Sequence, residues 1–260
     1  MIFPDWRAGE HVAFLSPHDD DAILGAGYLL QAVAEAGGTP HVLIFCQGDA
    51  GYSTAEAKET IVSVRKSETR RAYAGLGVAA DHLVFFDVPD FALLTTLVRS
   101  PGQLGESVFD RLIAHLRAHA VSRIVFTSGH REHADHTAAF WHGLYTVPQA
   151  GDPILADLGG PAPIRSYLAY SVWSDFEPPD KPGALPADKG ILADDAAEAR
   201  VRGGMAEFAS QGDILACTAA ARREDRKTDR GYLELYRTYE IRRPIDVAAY
   251  KAVLAGLGKG

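Results

Sequence analysis

Residues 18–21 read His-Asp-Asp-Asp, and residues 133–136 read His-Ala-Asp-His. Imidazole nitrogens and carboxylate oxygens are good ligands for a divalent transition metal such as zinc. Two histidines, one carboxylate and an open position describe a catalytic site rather than a closed structural one. The run Asp19-Asp20-Asp21 carries a cost. Two like charges about 4 Å apart repel by roughly 1 kcal/mol in water and roughly 4 kcal/mol at the effective dielectric of a protein surface. A bound cation offsets that repulsion. The plainer alternative is a solvated acidic turn and a helix cap, with Asp135 capping a helix that begins near His136.

The elements that must position these residues follow from apolar patterning. Short apolar runs predict strands at 11–16, 41–46, 82–88, 123–128 and 165–173, and helical patterns fill 22–38, 55–77, 107–120 and 136–147. The last third, from "AEARVRGGMAEFASQ" onward, reads as helical, with a terminal helix in the tail. The Pro/Gly-rich stretches 148–163 and 177–190 read as loops or insertions. Alternating strands and helices, with near-continuous apolar strands, predict an α/β fold: a Rossmann-like, mostly parallel sheet with helices on both faces and a C-terminal helical elaboration. All 260 residues read as one domain, with a core at about 10–215 and an extension over 216–260. Open α/β sheets bind ligands at the carboxyl ends of their strands. The segments that follow the five strands there are "PHDDD", "QGDAGYS", "PD", "GHREHADH" and "SDFEPPD". The two histidine-rich motifs are therefore expected on one edge of one sheet.

Composition removes several function classes. The chain is 47% hydrophobic, enough for a large core, and its net charge of −8 comes with no block of basic residues. Nucleic acid is not the expected partner. No run approaches the ~18 apolar residues of a membrane span, and no signal peptide is apparent. The expectation is a cytoplasmic protein with no membrane partner, and a homo-oligomer is compatible with the sequence. Cys46 and Cys217 make no disulfide framework, and Cys46 reads as a buried packing residue. His11, His41, His82, His115, His119 and His142 read as structural or solvated. Tyr52, Trp141, Tyr167, Tyr170 and Trp173 read mainly as core, with sugar stacking as the alternative. Gly48 and Gly51 read as residues of a tight turn near the site.

"SPHDDDAILGAG", "QGDAG", "RKSETRRAYAGLGV", "FFDVPD", "HADH" and "FASQ" together resemble the PIG-L, or LmbE-like, family of metal-dependent N-deacetylases. The resemblance implies a Rossmann-like fold and an N-acetylated sugar or sugar conjugate, N-acetylglucosamine-like, as the small-molecule substrate. It implies His18, Asp21 and His136 as ligands of Zn2+, with Fe2+, Co2+ or Mn2+ also compatible with a mixed nitrogen–oxygen site. It further implies Asp20 as general base and a protonated His133 as the group that steadies the oxyanion. Arg65 and Asp90 fall at sugar-binding positions. Asp19, where the family commonly has proline, and Asp135 are expected to support the ligands from behind. The proton for the leaving amine comes from Asp20 or from His133. In this scheme zinc would supply a bound water with a pKa near about 7.

Other readings compete with this one. The same site would serve an amidase acting on a thiol conjugate or another acylated natural product. A non-catalytic metal or carbohydrate-binding module would need no base beside the ligands. A dinucleotide-binding protein would need a third small residue after "GAG" and would not set three aspartates beside a pyrophosphate. An iron(II) oxygenase shares the two-histidine, one-carboxylate ligand set but is not expected in an alternating β/α chain.

Overall fold

The computed structural model describes residues 2–98, 106–173, 176, 180–181, 183, 185–242 and 247–257. In chain order the elements begin with β1 (His11–Ser16), α1 (Asp21–Glu35), β2 (Thr39–Cys46), α2 (Ile61–Ala74), β3 (Leu83–Val88), α3 (Val108–Ala118), β4 (Arg123–Thr127) and α4 (Ala134–Trp141). A π-helical turn (His142–Thr146) joins α4 to α5 (Val147–Ala150). Then follow β5 (Ser166–Tyr170), β6 (Lys189–Ala193), α6 (Asp195–Ala206), α7 (Gly212–Arg226), β7 (Lys227–Thr228), β8 (Gly231–Tyr239) and α8 (Ala248–Leu257).

The sheet runs β3-β2-β1-β4-β5-β8-β6, with β7 beside β8. β1 to β5 are mutually parallel, and β8 is antiparallel to both β5 and β6. Alternate residues of the parallel strands feed two cores. Val12, Phe14, Val42, Ile44 and Leu168 pack against α1, α2 and α6. Ala13, Leu15, Leu43, Phe45 and Phe126 pack against α3, α4 and α5. The parallel order 3-2-1-4-5 reverses direction between β1 and β4, and the crevice at such a reversal, outside the carboxyl ends, is where doubly wound sheets bind ligands.

The expected strands and first four helices are all present, but α2 begins at Ile61 rather than 55, after a separate 3-10 turn, and α4 gives way at His142 to the π-helical turn. The loop reading of 177–190 is corrected at its end, where β6 begins at Lys189. The helical reading from residue 197 onward holds for α6, α7 and α8 but is corrected between α7 and α8, where β7 and β8 lie and β8 pairs with β5 inside the sheet. The reason is electrostatic. The buried face of β8 is Tyr232, Glu234 and Tyr236, so a glutamate sits where a strand signal needs an apolar residue. Glu234 is tolerated because α1 is broken beside it. Ala26 leaves helical geometry at φ −140°, and the freed N–H groups of Tyr28 and Leu29 donate to the Glu234 carboxylate at 3.3 and 3.1 Å. Arg226 pairs with the same carboxylate at 2.8 Å, and Arg222 Nε donates to the Leu24 carbonyl at 2.8 Å. The Glu234 carboxylate thus gains the hydrogen bonds and the countercharge that its burial requires.

Candidate active site

The three aspartates after β1 point three ways, which is how the chain accommodates their charge. Asp19 turns under the sheet edge and is buried, accepting from Arg65 through Nε (2.9 Å) and Nη2 and from Thr69 Oγ1 (3.1 Å). Asp20 is the N-cap residue of α1 but makes no side-chain capping bond; it lines a cleft instead. Asp21 accepts from the His18 N–H at 2.8 Å and stands 3.1 Å from both His18 Nδ1 and His136 Nε2. One ligand atom from each of His18, Asp21 and His136 lies within 4.8 Å of the others.

The donor set fits a divalent cation. His136 Nε2 is buried and has no hydrogen-bonding partner of good geometry among the described residues, while its Nδ1 is held by Glu132 Oε2 at 2.8 Å. A carboxylate behind an imidazole fixes its tautomer and leaves the other nitrogen's lone pair for a metal. His18 repeats the arrangement: Nδ1 faces Asp21, and Nε2 lies 3.5 Å from Asp135 Oδ2. Burial opposes charge on His136, but Asp21 and Glu132 outweigh it and raise the imidazole to about 9. Burial pushes Asp21 up, yet His136 and His18 hold it well below the usual carboxylate range. Cys46 also lies near His18 and Asp135, and burial pushes its thiol up to about 11.

Asp20 and His133 face the same cavity of about 280 Å³. Burial, then the charges of Asp21 and Asp19, raise Asp20 to about 6. His133, not Asp135, caps α4: its Nδ1 accepts from the Asp135 N–H at 3.2 Å. That bond makes Nδ1 the acceptor and puts the ring's single proton on Nε2. Burial and the neighbouring His18 push the His133 pKa down, against the pull of Asp135.

Arg65 and Asp90 both line the cavity, and both are already engaged by the protein. Arg65 is clamped to Asp19, and a Cβ on Gly48, whose φ is +74°, would come within 2.7 Å of its Nε. The two glycines of "QGDAG" thus make room for the guanidinium. Asp90 accepts from the N–H groups of Gly48 and Ala50 at 2.9 and 3.0 Å. Glu68, of the Arg-x-x-Glu pattern, accepts from the Ser210 N–H and hydroxyl, and Gln211 donates to the Gly51 carbonyl. The scattered motif pieces meet as one rim.

Two residues at the site, Glu132 and Phe91, were not read from the sequence, and a third, Trp173, was read mainly as core with sugar stacking as the alternative. Glu132 accepts from Thr127, Ser171 and the N–H groups of Val172 and Trp173, besides holding His136. Its i, i+4 spacing to His136 was the available signal. Phe91 stands at φ +66°, a region costly for a residue with a Cβ. It is held there by Asp135, which accepts from Phe91 N–H (2.7 Å) and Leu93 N–H (3.2 Å), and its ring rests on His133 with centroids 4.6 Å apart. Trp173, expected in the core, is 64% exposed and lines the cavity. Tyr167 and Tyr170 are buried as expected, whereas Tyr52 and Trp141 are exposed. A larger cavity of about 590 Å³ lies at the opposite edge of the sheet, lined by Asp152, Arg165, Tyr239 and Arg242. It lacks the histidine–carboxylate grouping.

Comparison with known proteins identifies the family and the fold. The family described as PIG-L, GlcNAc-PI de-N-acetylase, matches residues 13–143, just over half of the chain. Among solved structures, N,N'-diacetylchitobiose deacetylase from Pyrococcus horikoshii superposes with a TM-score of 0.72 at 17% identity, covering 92% of this chain and 87% of that one. GalB, the 4-carboxy-2-hydroxymuconate hydratase from Pseudomonas putida, gives 0.66 at 17% identity, covering 92% and 100%. The A40926 pseudoaglycone deacetylase Dbv21 gives 0.64 at 18% identity, covering 92% and 100%. Identities this low establish the shared fold. No curated protein matches the sequence significantly. Among the described residues no helix is long and apolar enough to cross a membrane. The chain belongs to the PIG-L family and is an amide hydrolase of the N-deacetylase class.

Proposed function

We propose that the protein removes the acetyl group from an N-acetylated sugar or sugar conjugate, using a divalent cation, zinc by preference, held by His18, Asp21 and His136. The observation that carries this reading is the convergence of those three side chains within 4.8 Å on the floor of a cleft that also presents Asp20 and His133. A cation there supplies Lewis acidity and a water of lowered pKa. Asp20, uncapped and facing the cleft, accepts the proton of the water that attacks the amide carbonyl. His133 Nε2–H donates to the oxyanion that forms. The departing amine takes its proton from Asp20, once that carboxylate has accepted it from the water, or from His133. Asp135 and Glu132 hold the two imidazoles in the required tautomers.

Arg65 spends Nε and Nη2 on Asp19 and keeps Nη1 for a substrate hydroxyl. Asp90 shapes the wall by holding the glycine loop. The cavity lies at the small end of ligand-pocket sizes, about 300–1,000 Å³, and suits one sugar-ring-sized group, with Phe91 and Trp173 as its apolar walls. The same site supports an amidase on a differently acylated small molecule. One observation favours a second reaction type: GalB, a hydratase by name, shares the fold.

The test is acetate release from a panel of N-acetylated sugars, with metal content assayed before and after chelation and zinc return. Acetate release that disappears on chelation and returns with zinc supports the deacetylase. Bound metal without acetate from any member of the panel refutes the sugar substrate. A hydratase reading then gains ground if water adds to an unsaturated dicarboxylate.

A further inference from the structure

Five histidines from separate parts of the sequence meet at the amino-terminal edge of the sheet, opposite the catalytic edge. His11 opens β1 and His41 is the third residue of β2. Both have the strand parity of Ala13, Leu15, Leu43 and Phe45, and therefore stand on the α3 face. His115 and His119 lie one helical turn apart at the end of α3, and His82 precedes β3. His41 is fully buried at the centre. Its ring centroid lies 4.3 to 5.1 Å from those of His82, His119, His11 and His115.

We propose that this cluster is a second transition-metal site, separate from the catalytic one, in which His11, His41 and His119 hold a zinc-like divalent cation. One nitrogen from each of these three residues lies within 4.8 Å of the others. His11 Nδ1 and His41 Nε2 are already 2.8 Å apart and share a single proton. A tetrahedral zinc with bonds of about 2.0–2.1 Å sets its ligand nitrogens about 3.3 Å apart.

The support behind the ligands is also present. His41 Nδ1 lies 3.1 Å from His115 Nε2. A hydrogen bond there fixes the His41 tautomer and leaves Nε2 for the cation, as outer partners do in metal centres. Burial and mutual proximity lower His11, and push His41 down to about 2 and His115 to about 4. A neutral imidazole keeps one ring proton and offers one lone pair, so each ligand ring has an unprotonated nitrogen for a cation. All-imidazole ligation selects zinc, nickel or copper over magnesium or calcium. The partly exposed His11 and His119 give the ion a way in, and the open fourth position takes water. Bound there, the cation ties β1 and β2 to α3.

The test starts from protein carrying Asp21→Ala and His136→Ala, which removes the catalytic ligands. After stripping and dialysis against zinc, this protein is expected to hold one zinc per chain and to melt at a higher temperature than its stripped form. Adding His119→Gln or, separately, His11→Gln is expected to remove that zinc and the thermal shift, while each protein keeps a cooperative melt. In the otherwise wild-type chain His119→Gln lowers the zinc content by one equivalent and leaves hydrolysis unchanged. No zinc on the doubly substituted protein, or zinc that persists in both histidine variants, overturns the proposal.

Discussion

Glu132→Gln tests how the catalytic edge is organised. The two carboxylate oxygens of Glu132 do different work. Oε1 accepts from the Val172 N–H (2.7 Å), the Trp173 N–H (3.0 Å) and Ser171 Oγ (3.0 Å). Oε2 accepts from Thr127 Oγ1 (2.9 Å) and faces His136 Nδ1 at 2.8 Å. A glutamine has one acceptor oxygen and one NH2 donor. Two backbone donors dictate that its oxygen takes the Oε1 position, because the reverse would leave buried N–H groups facing an NH2. The NH2 then faces His136 Nδ1. That nitrogen must become an acceptor, and the ring proton moves to Nε2, the nitrogen aimed at Asp21. Loss of such an outer partner weakens metal binding by about 10–100-fold, or about 1.4–2.8 kcal/mol at about 1.4 kcal/mol per tenfold. The tautomer switch places the expectation at the upper end. The assay is chelator competition for zinc, in a background lacking the histidine-cluster ligand His119, with imidazole nitrogen shifts reporting the His136 tautomer. Unchanged zinc affinity, with Nε2 still unprotonated, would refute the reasoning.

Other expectations follow from single contacts. Arg222→Ala strips the fully buried Glu198 and Glu234 of an ion partner and should cost about 3–5 kcal/mol in a urea unfolding titration. Trp173→Ala should raise KM for a productive sugar with kcat little changed, the signature of lost uniform binding; a lowered kcat at constant KM would place Trp173 elsewhere in the reaction. Glu10 concerns acid stability. Burial pushes its carboxyl up, but hydrogen bonds from Arg123 and Arg165 outweigh that and lower it from 4.5 to about 2. A folded pKa below the unfolded one contributes stability above the unfolded value, lost as pH falls through the folded one. The wild type should therefore lose stability between pH 4.5 and about 2 more steeply than Glu10→Gln, as followed by denaturation at stepped pH.

The residues that meet at the candidate site could be placed together from sequence because each motif follows an apolar strand that declares itself. "HVAFLS" and "RIVFTS" deliver His18, Asp21, His133 and His136 to the same crevice once a parallel sheet is inferred. Glu132 was harder to read, since it precedes α4 and four of the five groups it binds lie outside that helix, three of them around residue 172. β8 was not legible because Glu234 interrupts its buried face, and only the broken α1 and two arginines explain why a carboxylate can sit there. The histidine cluster was invisible for a topological reason: residues 11, 41, 82, 115 and 119 have no spacing in common and meet only when β1, β2 and α3 are stacked. Phe91 was missed because a positive φ leaves no mark in sequence unless the residue is glycine.

The central claim is that the cleft of His18, Asp21 and His136 hydrolyses an N-acetyl amide with Asp20 as its base. Its most direct test compares wild type and Asp20→Asn for acetate release and catalytic metal content on one productive N-acetylated sugar. Retained metal with a loss of about 10²–10⁴-fold in turnover, the scale of general acid–base catalysis, is the predicted result. Wild-type turnover by Asp20→Asn with its metal in place would contradict the account.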